Sequence, residues 1–329
     1  MTSPKPVFGE KSMNRAPIIL FCYNRPEHVR QTLKSLKANA LSAESELYVF
    51  SDGPKENASS ETIRSIEQVR QVIREEKWCA NVHIKEAEHN LGLATSVIQG
   101  VSTVIEKYGK VIVVEDDVLL SPYFLDFMNE ALDKYEHDER VMSIGSWNYF
   151  CSPKSLDDNF FLRYPDSIAW ACFERSWKLF ESDSVLLLQK LKEQKRLKKL
   201  NADGKLPYFE DMLQQQIAGR IDSWAIRWTG SCVLHGGLNF YPKHSLSKHL
   251  GFGQGATHET GDDDYNRDLE VYDQKLRVNT QNVQENQFAF RAWCSFIKKL
   301  QGISLQKRIV GKLKSLSPAF VKNIYKKLK

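Results

Sequence analysis

The stretch Lys110-Val111-Ile112-Val113-Val114-Glu115-Asp116-Asp117-Val118 decides the fold. Val111 to Val114 are β-branched without polar alternation, which suits a strand covered on both faces of a parallel sheet. Ligands of such sheets bind beyond the carboxyl ends of the strands. Acids crowded at that edge repel one another unless a cation neutralises them, and hard oxygen donors suit Mg²⁺ or Mn²⁺. Mg²⁺ takes most of its ligands from water and phosphate, so one direct carboxylate suffices. Taken alone, the triplet also reads as a solvated strand end, or as acids ahead of a helix beginning near Ser121-Pro122.

Outward from this strand, residues 16 to 147 alternate short apolar runs with helical patterns, the signature of a mostly parallel α/β sheet. The expected strands are Pro17 to Cys22, Leu47 to Phe50, Val82 to Lys85, Val111 to Val114 and Val141 to Ile144. The expected helices are Pro26 to Ala38, Ser59 to Glu76, Leu93 to Tyr108 and Pro122 to Tyr135. Asn24-Arg25-Pro26 supplies a polar cap and a first-turn proline, followed by Val29, Leu33 and Leu36 at helical spacing. After Trp147 the chain is less regular and rich in aromatics, a substrate-side elaboration in which Trp170, Trp177, Trp224 and Trp228 read first as core.

The 329 residues carry a net charge of +5, with 42% hydrophobic and 26% charged residues, an ordinary globular composition. Met1 to Arg15 is polar, lacks an apolar core and reads as a flexible lead-in, not a signal peptide. No apolar stretch is long enough to span a bilayer. The six cysteines show no CxxC pairing, which favours reduced thiols in a cytosolic setting. From Ile297 to Lys329 the chain reads as a basic amphipathic tail. It suits either an anionic membrane face or packing on the domain with a solvated lysine face. Basic residues are not interleaved with a nucleic-acid recognition motif, so nucleic acid is not expected as a partner.

Three further motifs fall at strand ends: Cys22-Tyr23-Asn24-Arg25-Pro26, Ser51-Asp52-Gly53-Pro54 and Asn90-Leu91-Gly92-Leu93-Ala94. In a parallel sheet they share one edge with the acids. Together they offer a nucleotide an aromatic face, polar contacts, a glycine for close approach and a metal for its diphosphate. Asp52 reads equally as a turn former, and Asn90 with Gly92 as a loop and helix cap.

These motifs, with Ser146-Trp147-Asn148, Asp222-Ser223-Trp224 and Pro242 to Gly251, resemble a GT-A fold glycosyltransferase of the family 2 or N-acetylglucosaminyltransferase I type over most of residues 16 to 258. The resemblance implies a Rossmann-like, mostly parallel sheet flanked by helices. Residues 16–150 would form the nucleotide-sugar half and 151–296 the acceptor half of one domain. It implies Asp117 as direct ligand of Mn²⁺ or Mg²⁺, with Glu115 and Asp116 holding the nucleotide sugar. Asp52, Tyr23 and Arg25 would meet the nucleotide, Asn90 and Gly92 would lie near it, and Trp147 would line a sugar. It further implies an inverting single displacement with Asp222 as base and Asp211 as rival, though either also reads as a helix cap. His258, ending the glycine loop Gly251 to His258, is placed to reach a diphosphate; a histidine elsewhere is usually structural.

The expected partners are a UDP-sugar donor and a glycan or lipid-linked saccharide acceptor at the cytoplasmic face of a membrane. A nucleotidyltransferase that makes nucleotide sugars is the alternative enzyme, but no lysine-containing phosphate loop follows the first strand. A non-catalytic glycan-binding protein of the same fold is the third reading. The intact acids with Asp52 argue against it.

Overall fold

A computed structural model describes residues 15–250, 269–279 and 282–299. In chain order the elements are β1 (Ile18–Cys22), α1 (Pro26–Lys37), β2 (Glu46–Ser51), α2 (Ser60–Val72), β3 (Asn81–Glu86), α3 (Leu93–Tyr108), β4 (Lys110–Glu115), β5 (Val118–Leu120), α4 (Phe124–Tyr135) and β6 (Val141–Gly145). There follow β7 (Asn159–Leu162), β8 (Ala169–Phe173), α5 (Glu174–Trp177), α6 (Ser184–Glu193), α7 (Leu197–Leu200), α8 (Tyr208–Ile217), α9 (Trp224–Leu234), β9 (Leu238–Pro242) and β10 (Ser247–His249). A last described helix covers residues 287–299.

Eight strands form one sheet in the order β3-β2-β1-β4-β8-β6-β9-β7, and β5 pairs with β10 in a separate antiparallel ribbon. Strands β3, β2, β1 and β4 are mutually parallel. The mostly parallel α/β sheet expected from the sequence is present, with two antiparallel strands: β8 between β4 and β6, and β7 at the edge beside β9. Strands β7, β8 and β9 come from the part of the chain that read as irregular, and all three complete the same sheet.

The unalternating strands are explained by burial on both faces. Ile18, Leu20, Ile112 and Val114 join the core with α1 and α4, while Ile19, Phe21, Val111 and Val113 join the opposite core with α3 and α9. Each such side chain taken fully out of water contributes about 1.5–3 kcal/mol. Trp170, Trp177, Trp224 and Trp228 are buried in that second core as an aromatic stack, as their number suggested. All six cysteines are buried free thiols.

Helix starts depart from expectation at one functional point. Arg25 occupies the cap position of α1, and no side-chain hydrogen bond caps that helix; its guanidinium turns to the acids of β4 instead. Ser59 does cap α2, accepting from Thr62 N at 3.1 Å. The core around Phe160, Leu162 and Tyr164 is tied to residues 287–299 through Arg163. It donates to Glu285 Oε1 at 2.7 Å and Asp203 Oδ1 at 3.0 Å and lies over the Phe290 ring at 4.3 Å. Ile297, expected to begin the tail, is buried within this helix; the tail from 300 onward lies outside the described residues. No described helix is long and apolar enough to cross a membrane.

Candidate active site

The carboxyl ends of β1, β2 and β4 open onto a cavity of about 580 Å³, within the range typical of small-molecule sites. Strand β4 ends at Glu115, and Asp116-Asp117 forms the turn into β5. Thr32 pins that turn, donating from Oγ1 to the Asp116 carbonyl at 2.9 Å and accepting from Val118 N at 3.0 Å. The ribbon partner β10 completes it: Val118 pairs with His249, and Leu250 N donates to the Asp117 carbonyl at 2.6 Å. Residues more than a hundred positions apart are thereby placed side by side.

One carboxylate oxygen of Glu115, one of Asp117 and a ring nitrogen of His249 lie within 4.8 Å of one another. Asp117 is almost wholly buried, and its Oδ1 accepts no hydrogen bond among the described residues. Nε2 of His249 lies 3.3 Å from this oxygen. Two oxygens and an imidazole converging on one point suit Mn²⁺, so the donor set fits the cation that the resemblance implies. The histidine is His249 in the ribbon. His258, expected in that neighbourhood, lies outside the described residues.

Burial governs the charges here. It raises the Glu115 carboxyl well above its ordinary range, with repulsion from Asp117 and Asp116 adding to the effect. Burial, then Asp117, pushes Asp116 up to about 7 against the pull of Arg25. Arg25 Nη2 is 2.7 Å from Asp117 Oδ2 and 3.4 Å from Asp116 Oδ1. Desolvation works against its charge, but the carboxylates outweigh that and raise its pKa. Tyr23 N reaches Asp116 Oδ2 at 3.4 Å.

Two other aspartates shape the walls by a common device. Oδ1 of Asp52 accepts from Gly53 N and Leu91 N, both at 2.8 Å, while Oδ2 accepts from Gly92 N at 3.0 Å and Asn90 Nδ2 at 2.9 Å. Glycine is required at both ends of this arrangement. A Cβ on Gly53 would meet the His89 backbone at 2.6 Å, and Gly92 has φ of +77°. On another wall, Oδ1 of Asp166 accepts from Ser167 N at 2.7 Å and Ile168 N at 3.1 Å, and Oδ2 from Ser146 N at 2.9 Å and Trp147 N at 3.0 Å. Burial still pushes this carboxyl up to about 6. Four donors occupy the roughly four lone-pair sites of each carboxylate, so both residues position backbone.

The cavity therefore gathers Tyr23, Arg25, Asp52, Asn90, Gly92, Glu115, Asp116, Asp117 and Trp147. It does not gather Asp222 or Asp211. Asp222 is 62% exposed and pairs with Arg227 at 2.9 Å, although Ala225 and Ile226 of the helix it precedes do line the cavity, and Asp211 is exposed on α8. The short Asp-x-Trp pattern carries the tryptophan into the core and leaves the acid in water. The sequence reading missed Asp166 and Lys55 as lining residues, together with the aromatic wall of Tyr164, Phe209 and Trp293, and it set His249 aside as structural.

Residues 6–166, which contain the acidic turn, Asp52 and Asp166, match the family model described as the GNT-I family. Over this segment, just under half of the chain, the sequence is similar to the GNT-I family. No curated protein matches the chain. Among solved structures it is similar to the mannosyltransferase PcManGT from Pyrobaculum calidifontis, in complex with GDP-Man and Mn²⁺. That match has 14% identity and a TM-score of 0.34 and covers 50% of this chain and 45% of that one. The galactosyltransferase LgtC, with donor and acceptor sugar analogues, matches at 12% identity and a TM-score of 0.35, covering 68% and 72%. Glucosyl-3-phosphoglycerate synthase from Mycobacterium tuberculosis, with Mn²⁺, UDP-glucose and phosphoglyceric acid, matches at 13% identity and a TM-score of 0.30, covering 54% and 64%. The chain thus spans less than half the length of the mannosyltransferase.

Proposed function

We propose that the protein transfers a sugar from a nucleotide-sugar donor, a UDP-sugar by preference, to a hydroxyl of a saccharide acceptor. The observation that carries this reading is the convergence of Glu115, Asp117 and His249 at the floor of a cavity whose wall is the Asp52 loop of the family segment. Glu115, Asp117 and His249 would hold a divalent cation, which when bound neutralises charge on the departing nucleoside diphosphate.

The chain's own residues do the rest. Tyr23 and the loop at Asn90 to Gly92, fixed by Asp52, offer a surface for the nucleoside. Arg25 and Lys55 add positive charge on the side where phosphates would lie. Asp166 sets Trp147 against the cavity through its backbone, and the aromatic wall of Tyr164, Phe209 and Trp293 sheds water from the acceptor side. In an inverting transfer the acceptor oxygen bonds to the anomeric carbon as the bond to the phosphate oxygen breaks on the opposite face. The hydroxyl proton then leaves to a base. Among the described lining residues, Asp52 and Asp166 have every lone-pair site engaged and so do not serve as that base.

A panel of nucleotide sugars incubated with the protein and Mn²⁺, scored for nucleoside diphosphate release, tests the proposal. Release from one donor, lost in Asp117→Asn, is expected. Pyrophosphate formation from a sugar phosphate and a nucleoside triphosphate would overturn it in favour of a nucleotidyltransferase.

A further inference from the structure

Arg25 faces the acids from the cap position just before α1, where an arginine is unusual. The guanidinium lies against the oxygen of Asp117 opposite the one aimed at His249. It is only about one-fifth exposed, while Asp117 is almost fully enclosed. Among the described residues, this arginine is in ion-pair contact with both Asp116 and Asp117. It also lines the cavity, so its other face is open to a ligand.

We propose that Arg25 competes with the divalent cation for the charge of Asp117, and that a nucleoside diphosphate ends the competition by drawing the guanidinium onto its phosphates. The competition is electrostatic. A positive group 2.7 Å from one oxygen of a carboxylate weakens the other oxygen as a ligand and repels a dication nearby, and at low local dielectric such effects are large. A diphosphate entering without a metal would meet Glu115, Asp116 and Asp117 with too little positive charge between them. A metal entering without a diphosphate would meet Arg25 still on Asp117. Each partner therefore prepares the site for the other, and Arg25 is the positioning residue through which the coupling runs. Bidentate recognition of phosphate is a property of the planar guanidinium. The inference rests on the metal-and-nucleotide reading of this cavity.

The test is calorimetric titration of Mn²⁺ into the chelator-treated full chain, with and without UDP or GDP. It compares wild type with Arg25→Ala, Arg25→Gln and Arg25→Lys, each checked for folding by thermal melt. In wild type, the diphosphate should tighten Mn²⁺ binding by about tenfold or more, in the usual range for coupled sites. The two neutral variants should bind Mn²⁺ alone about tenfold more tightly than wild type, by relief of charge repulsion, and gain little from the diphosphate. Arg25→Lys should remain near wild type for Mn²⁺ alone. Folded neutral variants that bind Mn²⁺ no more tightly than wild type would overturn the proposal, as would neutral variants that keep the wild-type gain. If neither diphosphate alters Mn²⁺ binding in wild type, the nucleotide reading fails. The comparison without nucleotide then still decides whether Arg25 and the cation compete.

Discussion

Replacing Asp52 by alanine separates two ways in which this residue can serve a nucleotide. Its carboxylate accepts four hydrogen bonds, three from backbone N–H groups and one from Asn90 Nδ2. At roughly 0.5–1 kcal/mol each in this half-exposed setting, their loss costs about 2–4 kcal/mol. The loss falls mainly on residues 90–92, because Gly53 remains held in the turn after β2. A local destabilisation of about 2 kcal/mol raises the open population about 30-fold. Hydrogen exchange of a peptide covering residues 88–93 should accelerate by that factor, with β1 and β4 unchanged, and nucleotide affinity should fall in parallel. Asp52→Asn, which keeps one acceptor oxygen, should show a smaller acceleration. If exchange at 88–93 stays at the wild-type rate while nucleotide affinity collapses, Asp52 contacts the nucleotide itself and the positioning argument is refuted.

Other expectations follow from the same geometry. His249→Ala should weaken Mn²⁺ binding about 10–100-fold with the melt preserved, since outer partners of metal sites alone carry that much; unchanged affinity in calorimetry would remove the histidine from the donor set. Asp222→Asn should lower kcat by less than tenfold, because the acid is exposed and paired with Arg227, whereas loss of a true general base costs about 10²–10⁴-fold. Asp166 has a folded pKa raised to about 6, so its contribution to stability is full at low pH and declines as pH rises from about 4 to 6. Urea unfolding should show wild type losing about 3 kcal/mol relative to Asp166→Asn across that window, and a difference that does not vary with pH would contradict the burial argument. Arg163→Ala leaves Glu285 buried without its cation, a change that costs about 3–5 kcal/mol. Exchange should rise first in residues 287–299, and a uniform rise across the sheet would refute the local clamp.

The donor edge was legible in the sequence because its signals are local. The unalternating β1 and β4, the Asp-Gly turn after β2 and the glycine before α3 each declare themselves within a few residues. Their convergence follows once the strands are parallel. His249 lies in the Pro242 to Gly251 stretch of the resemblance, but nothing near it in sequence distinguishes it as a ligand from the other histidines. It reaches Asp117 only through the β5–β10 pairing across more than a hundred residues. Asp166 was hidden for a different reason. Its partners are backbone N–H groups, which carry no residue signature, and two of them belong to residues twenty positions away. Asp222 is the converse case: a short side-chain pattern suggested a base, and the structure places that acid in solvent beside Arg227.

The placement of β8 has a consequence for how the molecule is made. Strands β3, β2, β1 and β4 can pair as soon as residue 115 has left the ribosome, and the edge of β4 then stays open until residues 169–173 arrive. Proteins fold from the N-terminus as they emerge, so the wall with the acidic turn can form while the opposite wall is still being synthesised. Trp293 and Ile297 close the cavity last, held by the Arg163–Glu285 clamp. A nascent chain with residues up to 250 outside the ribosome would therefore have its acidic turn and β10 in place, and the far side of its cavity open to solvent.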